Sequence, residues 1–245
     1  MAIDKNNTGF TLVFVVLMVG IVGAVLASLA FGLKDRQKGH ADDKKRMDIL
    51  AAIGVESTRG NVNDENMFSN YVNGYYLLDY SGAVTSTDQK EVFAVDIKKQ
   101  HRNTELTAQD KKYPLYTAKT AKGEDVFIVP MVGKGLWGPI WGYVAMQQDL
   151  VTIFGARFDH KTETPGLGAE IKTDFFQKNW AGKELDTAPN AKLMFEVTKG
   201  AGSSSGQHQV DGITGGTITS KGVQEMVNRT MEVYRKYDTS KAQLN

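Results

Sequence analysis

Residues 211–237 read Asp-Gly-Ile-Thr-Gly-Gly-Thr-Ile-Thr-Ser-Lys-Gly-Val-Gln-Glu-Met-Val-Asn-Arg-Thr-Met-Glu-Val-Tyr-Arg-Lys-Tyr. Val223, Met226, Val227, Thr230, Met231 and Tyr234 fall at i, i+3, i+4, i+7, i+8 and i+11. That spacing predicts a helix with one buried face running to about Tyr237, with Thr219 or Ser220 as its N-cap. Ahead of it, Gly212, Gly215 and Gly216 allow tight turns and leave the backbone approachable, because no Cβ stands in the way. The Thr217 hydroxyl is thereby presented near unpaired N–H groups and the positive end of a helix dipole, where each anion contact is worth roughly 0.3–1 kcal/mol. Such a setting suits a covalently held phosphate, and Lys221 would add a mobile positive charge. The plainer alternative is a solvated glycine–threonine turn before a helix cap.

Immediately upstream, residues 199–210 are polar and rich in Gly and Ser. They read as a flexible segment that presents the turn and lies outside the core, with His208 solvated. Residues 75–79, 91–97, 126–131, 140–146 and 150–158 are rich in Val, Ile, Tyr and Phe between Gly, Pro and charged turns, and read as strands, as does 193–197. Residues 174–180 read as a short helix with Phe175, Phe176 and Trp180 on one face, and 41–53 as a helix ended by Gly54. The fold class is α+β.

Residues 10–33 contain no charged side chain and are almost wholly apolar. At about 1.5 Å per residue they are long enough for a hydrocarbon core of about 30 Å. The stretch exceeds the roughly 7–15 apolar residues of a signal peptide, which favours a retained anchor. The expected organisation is a tail (1–9), a transmembrane helix (10–33), a stalk and helix (34–54), one globular domain (55–237) and a second tail (238–245), the domain being large enough for a sizeable core. A net charge of +1 gives no basic field for nucleic acid. Cysteine is absent, which excludes thiolate-ligated iron–sulfur clusters, disulfides and thiol catalysis by this chain. Any redox centre must be borrowed, and no metal site or catalytic residue is expected.

Three segments imitate other chemistries. Gly133-Lys-Gly-Leu-Trp-Gly138 fits Gly-x-Gly-x-x-Gly, but Pro139 and an alternating Ile140-Trp-Gly-Tyr143 follow where a helix must start, so a turn between strands is the better reading. Gly216-Thr-Ile-Thr-Ser-Lys221 lacks the glycine that precedes lysine in a P-loop. Glu163-Thr-Pro-Gly-Leu-Gly-Ala-Glu170 is a Pro/Gly loop bracketed by carboxylates, open to a membrane-anchored hydrolase using Glu163 or Glu170, or to a surface turn in which Pro165 sets φ. Gly9-Phe-Thr-Leu-Val13 resembles a prepilin cleavage site, the mark of a pseudopilin-like structural protein, but Phe14 stands where that family carries glutamate.

Asp211 to Thr217 resembles the flavinylation motif Asp-x-x-Ser/Thr-Gly-Ala-Thr, in which a flavin transferase esterifies the phosphate of FMN onto the last threonine; Gly216 stands where the family usually has Ala. The single span, Met47–Gly54, Gly133–Trp137, Glu163–Gly168 and Val210–Thr217 together resemble, in order and over nearly the whole chain, the family of C subunits of bacterial Na+-translocating NADH:quinone oxidoreductases. The resemblance implies a mixed-sheet FMN-binding domain with flanking helices and one FMN per chain, covalently held on Thr217. It implies that Trp137, Glu163, Thr164 and Leu167 line the isoalloxazine pocket, and that Asp211, Thr214, Gly215 and Gly216 belong to the transferase recognition motif. It further implies a bacterial inner-membrane complex of six subunits that oxidises NADH with ubiquinone and exports Na+. In that complex this chain relays electrons, needs no soluble small-molecule substrate and oxidises no NADH alone. The nearest alternative is the corresponding flavoprotein of the Rnf ferredoxin:NAD+ oxidoreductase; Gly133-Lys-Gly-Leu-Trp137 leans toward the quinone reductase. Only Lys5 precedes the span, while Lys34, Arg36, Lys38, Lys44, Lys45 and Arg46 follow it, so the positive-inside rule alone puts the domain in the cytoplasm. That rule weakens when a long domain follows, and the resemblance implies the outer, periplasmic side.

Overall fold

The computed structural model describes residues 8–62 and 65–241; Lys5 and the ends of the two expected tails lie outside the described residues. The chain divides into two compact units, one up to Lys45 and one from Arg46 onward. Helix α1 (Thr8–Ala52) is continuous, with no break between the expected span and the expected stalk. In the first unit Leu12, Val19, Phe31 and their apolar neighbours are exposed on every side. Among the described residues α1 is the one helix long and apolar enough to cross a membrane. It ends at Ala52, and Gly54, at φ +75°, turns the chain away as a C-terminal glycine does.

In the second unit the last turn of α1 buries Ile49, Leu50 and Ala52. Then follow α2 (Arg59–Val62), α3 (Glu65–Tyr71), β1 (Val72–Leu78), β2 (Val84–Ser86), α4 (Gln89–Ala94), α5 (Ile97–Arg102), β3 (Tyr113–Lys119), β4 (Asp125–Lys134), β5 (Pro139–Met146) and β6 (Ile153–His160). After a 3-10 turn (Gly168–Lys172) come α6 (Asp174–Gln177), β7 (Glu196–Val197), β8 (Gln209–Val210) and α7 (Thr217–Tyr234). The α+β class is as expected. The main sheet has the order β2-β1-β3-β4-β5-β6 with every neighbouring pair antiparallel, and parallel pairing is confined to β7 and β8.

The sheet is covered on both faces, and successive residues of each strand serve opposite cores. Phe127, Val129 and Met131 of β4 and Ile140, Val144 and Met146 of β5 join one cluster with the apolar face of α7. Val126, Ile128, Tyr143 and Ala145 join the other with Ile49, Leu50 and Ile53. All six residues of the expected α7 stripe are buried. Helix α7 lies on β4 at a glycine-dependent distance. A Cβ on Gly133 would come within 2.8 Å of Met226 Cβ, and one on Gly222 would overlap the Lys134 carbonyl oxygen.

Several expectations are corrected. Residues 91–97 form no strand: 91–94 end α4, Ile97 opens α5 and Val95 and Asp96 link them, because Asp88 and Asp96 cap those helices locally by accepting the Glu91 and Lys99 N–H groups at 2.7 and 3.0 Å. Strand β3 was not among the expected strands; its pairing with β4 covers Tyr116–Lys119, so Pro114 lies past the end of that ladder and is paired only on the β1 side, opposite Leu77. Strand β6 begins at Ile153, because Asp149 accepts the N–H groups of Val151 and Thr152, both at 2.8 Å, in a turn that puts Leu150 at φ +51°. Phe176 and Trp180 are buried, whereas Phe175, expected on the same face, is 65% exposed. The strand expected at 193–197 shrinks to β7, and its partner β8 makes Val210 a core residue instead of part of a flexible presenter.

Replacing Gly222 by Ala gains about 1 kcal/mol of helix propensity. It loses about 1–3 kcal/mol to overpacking against immovable backbone, so the overlap sets the sign. The expected urea midpoint is lower than wild type, while Gly206→Ala, which meets nothing closer than Gln209 at 3.7 Å, leaves it unchanged.

Candidate functional site

Helix α7 starts at Thr217 with Gly216 in the N-cap position and no side chain capping it. The turn before it is closed by Gly216 N–H to Ile213 C=O at 2.9 Å, with Gly215 at φ +76°. The first intrahelical bond is Ser220 N–H to Gly216 C=O, 2.9 Å. The N–H groups of Thr217, Ile218 and Thr219 therefore precede the ladder, at the positive end of an 18-residue helix. This corrects the expected cap: the tight turn brings the chain into the helix three residues ahead of a Thr219 cap and four ahead of a Ser220 cap, and both expected cap residues are buried and used elsewhere. Ser220 Oγ accepts the Ile213 N–H at 2.9 Å, and Thr219 Oγ1 donates to Glu163 Oε2 at 2.5 Å. Lys221 is likewise committed, donating to the Val197 carbonyl at 2.7 Å and to Gln224 at 2.8 Å, which ties β7 to α7.

Glu163 joins the pieces of the site. It is 5% exposed. Its Oε1 accepts the Trp137 N–H at 2.8 Å, and Thr162 Oγ1 donates to the Trp137 carbonyl at 3.0 Å, so the Trp137 backbone is held on both sides. The Gly133–Gly138 segment is the turn of the β4–β5 hairpin, as expected, closed by Gly135 N–H to Gly138 C=O at 2.8 Å. Burial pushes the Glu163 carboxyl up, but the Thr219 hydroxyl and the N–H groups of Trp137, Leu136 and Gly138 outweigh it and hold the group below the usual glutamate range. Both Glu163 oxygens are so engaged, and Glu170 Oε1 accepts the Gly166 N–H at 2.8 Å, so both carboxylates of this loop hold backbone in place.

Leu167 closes the other side. A Cβ on Gly215 would sit 2.7 Å from Leu167 Cδ2, and one on Gly216 would sit 3.0 Å from Ile213 and 3.2 Å from the Leu167 carbonyl carbon. Thr164 is exposed, with its carbonyl accepting the N–H groups of Leu167 and Ala169, both at 3.1 Å. Beside the partly exposed Thr217, Ile218 is 60% exposed and Leu167, against Gly215, 42%; Trp137, whose backbone is linked through Glu163 to Thr219, is 66% exposed. Exposed apolar side chains gathered around polar groups mark a surface that something covers. An anion at the uncapped helix start and a flat aromatic body on these side chains fit the residues present.

Asp211 is engaged in the chain's own turn. Its carboxylate accepts the N–H groups of Gly202, Ser203 and Ser204 at 2.7, 2.9 and 2.7 Å. Those from Gly202 and Ser204 are the main cause that holds its pKa at about 2, against partial burial and with help from the Ser204 hydroxyl and Ser203 N–H. Thr214 is exposed next to Gly200, where a Cβ would meet its Oγ1 at 3.2 Å. His208, expected in solvent, donates from Nδ1 to the Glu184 carbonyl at 2.9 Å. The roles of Glu163, Thr162 and Thr219 as ties had no signal in the sequence, because their partners lie far away along the chain.

Fold and site together define an FMN-binding domain behind an apolar helix, and the family model for the FMN-binding domain matches residues 135–232. The Na(+)-translocating NADH-quinone reductase C subunit from Haemophilus ducreyi is 33% identical over 228 residues, covering 90% of this chain and 88% of that protein. The crystal structure of its counterpart from Parabacteroides distasonis is 36% identical with a TM-score of 0.72, covering 86% of this chain and 98% of that one. The Shewanella oneidensis NqrC structure is 28% identical with a TM-score of 0.63, covering 80% and 93%. The chain belongs to the NqrC family, the C subunits of Na(+)-translocating NADH-quinone reductases.

Two outcomes follow from this geometry. A carboxyl whose folded pKa is lowered contributes stability above its ordinary pKa of about 4.3, and that contribution is lost as pH falls through the lowered value. Glu163→Gln should therefore cost about 1.5–3 kcal/mol at pH 7 and pH 5, the range for hydrogen bonds to charged groups. In urea unfolding the gap to wild type should narrow toward pH 3; a gap of equal size at pH 3 and pH 7 would refute the ionised tie. Asp211→Asn should release the 202–204 turn, read as several-fold faster tryptic cleavage at Lys199 with the overall unfolding midpoint little changed.

Proposed function

We propose that this chain is an electron-carrier subunit of a Na+-translocating NADH:quinone reductase and carries one FMN as a phosphodiester on Thr217. The observation that carries the reading is the uncapped start of α7 at a partly exposed threonine hydroxyl, beside exposed Trp137 and Leu167. The three N–H groups of the first turn would receive the phosphate. Trp137 and Leu167 would pack on the isoalloxazine, and Thr164, whose side chain is open to solvent, is better placed than the committed Glu163 to bond its polar edge. When bound, FMN supplies the ability to take up and release electrons one or two at a time, which the protein's own side chains lack.

Ester formation from FMN itself would have to expel hydroxide, so the flavin donor must carry a better leaving group on the same phosphate. The Thr217 hydroxyl would supply the oxygen of the new P–O bond as the bond to that leaving group breaks, and would give up its proton to the flavin transferase. The exposed Thr214 and Gly215 leave the turn open to such an enzyme, and Asp211 shapes it from behind through the 202–204 turn. In this reading the chain is a single-pass protein of the bacterial inner membrane, with its FMN domain on the periplasmic side, in an assembly of six subunits. NADH oxidation, ubiquinone reduction and Na+ export belong to the whole assembly.

The test is in-gel flavin fluorescence after denaturing electrophoresis of protein co-expressed with a Mg2+-dependent flavin transferase. Wild type and Thr217→Ser should give fluorescent bands and Thr217→Ala a dark one. Gly216→Ala should remain fluorescent, because Ile213 need give only a few tenths of an ångström and φ −105° suits any residue. A dark wild-type band, with the transferase active on a control substrate, would overturn the reading.

A further inference from the structure

Glu163 is a buried carboxylate without a counter-ion: among the described residues its partners are the Trp137 N–H, the Thr219 hydroxyl and the neighbouring N–H groups of Leu136 and Gly138, and no lysine or arginine bridges to it. A buried charge is expensive unless each lone pair is satisfied, so this arrangement is stable only while its donors stay in place. The donors come from two separate elements. Trp137 lies in the β4–β5 turn and Thr219 in the first turn of α7, two residues from Thr217. The packing admits no slack. A Cβ on Gly135 would lie 2.6 Å from Glu163 Oε1, and one on Gly168 would overlap both Glu163 Oε2 and Thr219 Oγ1. Nothing comparable holds the Trp137 indole, which is 66% exposed. What is held by hydrogen bonds is its backbone, by Glu163 on the N–H and Thr162 on the carbonyl.

We propose that Glu163 is a positioning residue whose ionised carboxylate ties the Trp137 backbone to the start of α7. It fixes the indole relative to the Thr217 hydroxyl before any flavin is attached and leaves one uncompensated negative charge beside the ring's site. This deepens the flavin reading of Thr217 and rests on it for its second part. Two consequences separate the tie from the charge. Loss of the tie frees Trp137 whether or not flavin is present. Loss of the charge alone makes it easier to place added electrons on a flavin held there, so the flavin's midpoint potential rises.

The experiment uses the full chain in detergent micelles, with the Trp137 signal taken as the difference between each protein and its Trp137→Phe counterpart. Time-resolved fluorescence anisotropy of unloaded protein reads the tie. Glu163→Ala should at least double the amplitude of fast local depolarisation, whereas Glu163→Gln, which keeps a carbonyl oxygen for the Trp137 N–H, should stay near wild type. Spectroelectrochemical titration of flavin-loaded protein reads the charge, and Glu163→Gln should titrate at a higher potential than wild type. A Glu163→Ala indole as rigid as wild type overturns the tie, and a Glu163→Gln flavin at the wild-type potential overturns the charge. Absence of covalent flavin on wild type would defeat the reading of Thr217 instead, while the anisotropy of unloaded protein still decides whether Glu163 positions the indole.

Discussion

Gly222 of α7 and Gly133 of β4 meet where a methyl group on either would collide with the other element. This close approach sets the depth at which α7 lies on the sheet, and two hydrogen bonds hold the helix farther along. Arg229 donates to the Val132 carbonyl and the Tyr234 hydroxyl to the Pro114 carbonyl, both at 2.7 Å. Between them Val223, Met226, Val227 and Met231 are removed from water, at about 1.5–3 kcal/mol per fully buried side chain before conformational costs. A helix fixed in depth, rotation and register has a fixed first turn. Thr219, two residues beyond Thr217, is consequently tied through Glu163 to the hairpin turn that follows β4, and the position of the candidate site follows from how the core packs.

Which parts of this were legible follows from how local each determinant is. Strands β4 and β5 are buried on both faces, so they read as continuous apolar runs, and the α7 stripe reads directly as its buried face. Residues 91–97 carry the same apolar character but are governed by Asp88 and Asp96, whose caps act over three residues and override a weak strand pattern. Strand β3 carries Pro114, and a proline is tolerated there because the ladder with β4 begins only at Tyr116. The helix start was readable because turn, hydroxyl and periodic helix are contiguous. The Glu163 node was not, because its bonds to Trp137 and Thr219 span 26 and 56 residues.

The same distinction separates Asp211 from Thr217 within one short motif. A recognition motif suggests that each of its residues meets the modifying enzyme or the cofactor. In the folded chain the Asp211 carboxylate is spent on three backbone N–H groups of the 202–204 turn, and its low pKa records that internal use. A part for Asp211 in the proposed motif would then be structural, since the chain leading into that turn passes Thr214 at Gly200.

Lys221 bears on how a phosphate would be held. A free phosphate monoester is mostly doubly charged near neutral pH, and sites that retain one by affinity commonly add a lysine or arginine to backbone N–H groups. Here the nearest lysine in sequence is drawn to the Val197 carbonyl and Gln224, and the helix start offers N–H groups alone. A phosphodiester carries one charge and owes nothing to affinity, since a covalent bond retains it. The first turn of α7 then has only to orient the anion, which three aligned N–H groups and the helix dipole can do at roughly 0.3–1 kcal/mol each. Tying Lys221 to β7 stabilises the domain without weakening such a site, and the donor set at Thr217 suits an ester better than a dissociable ligand.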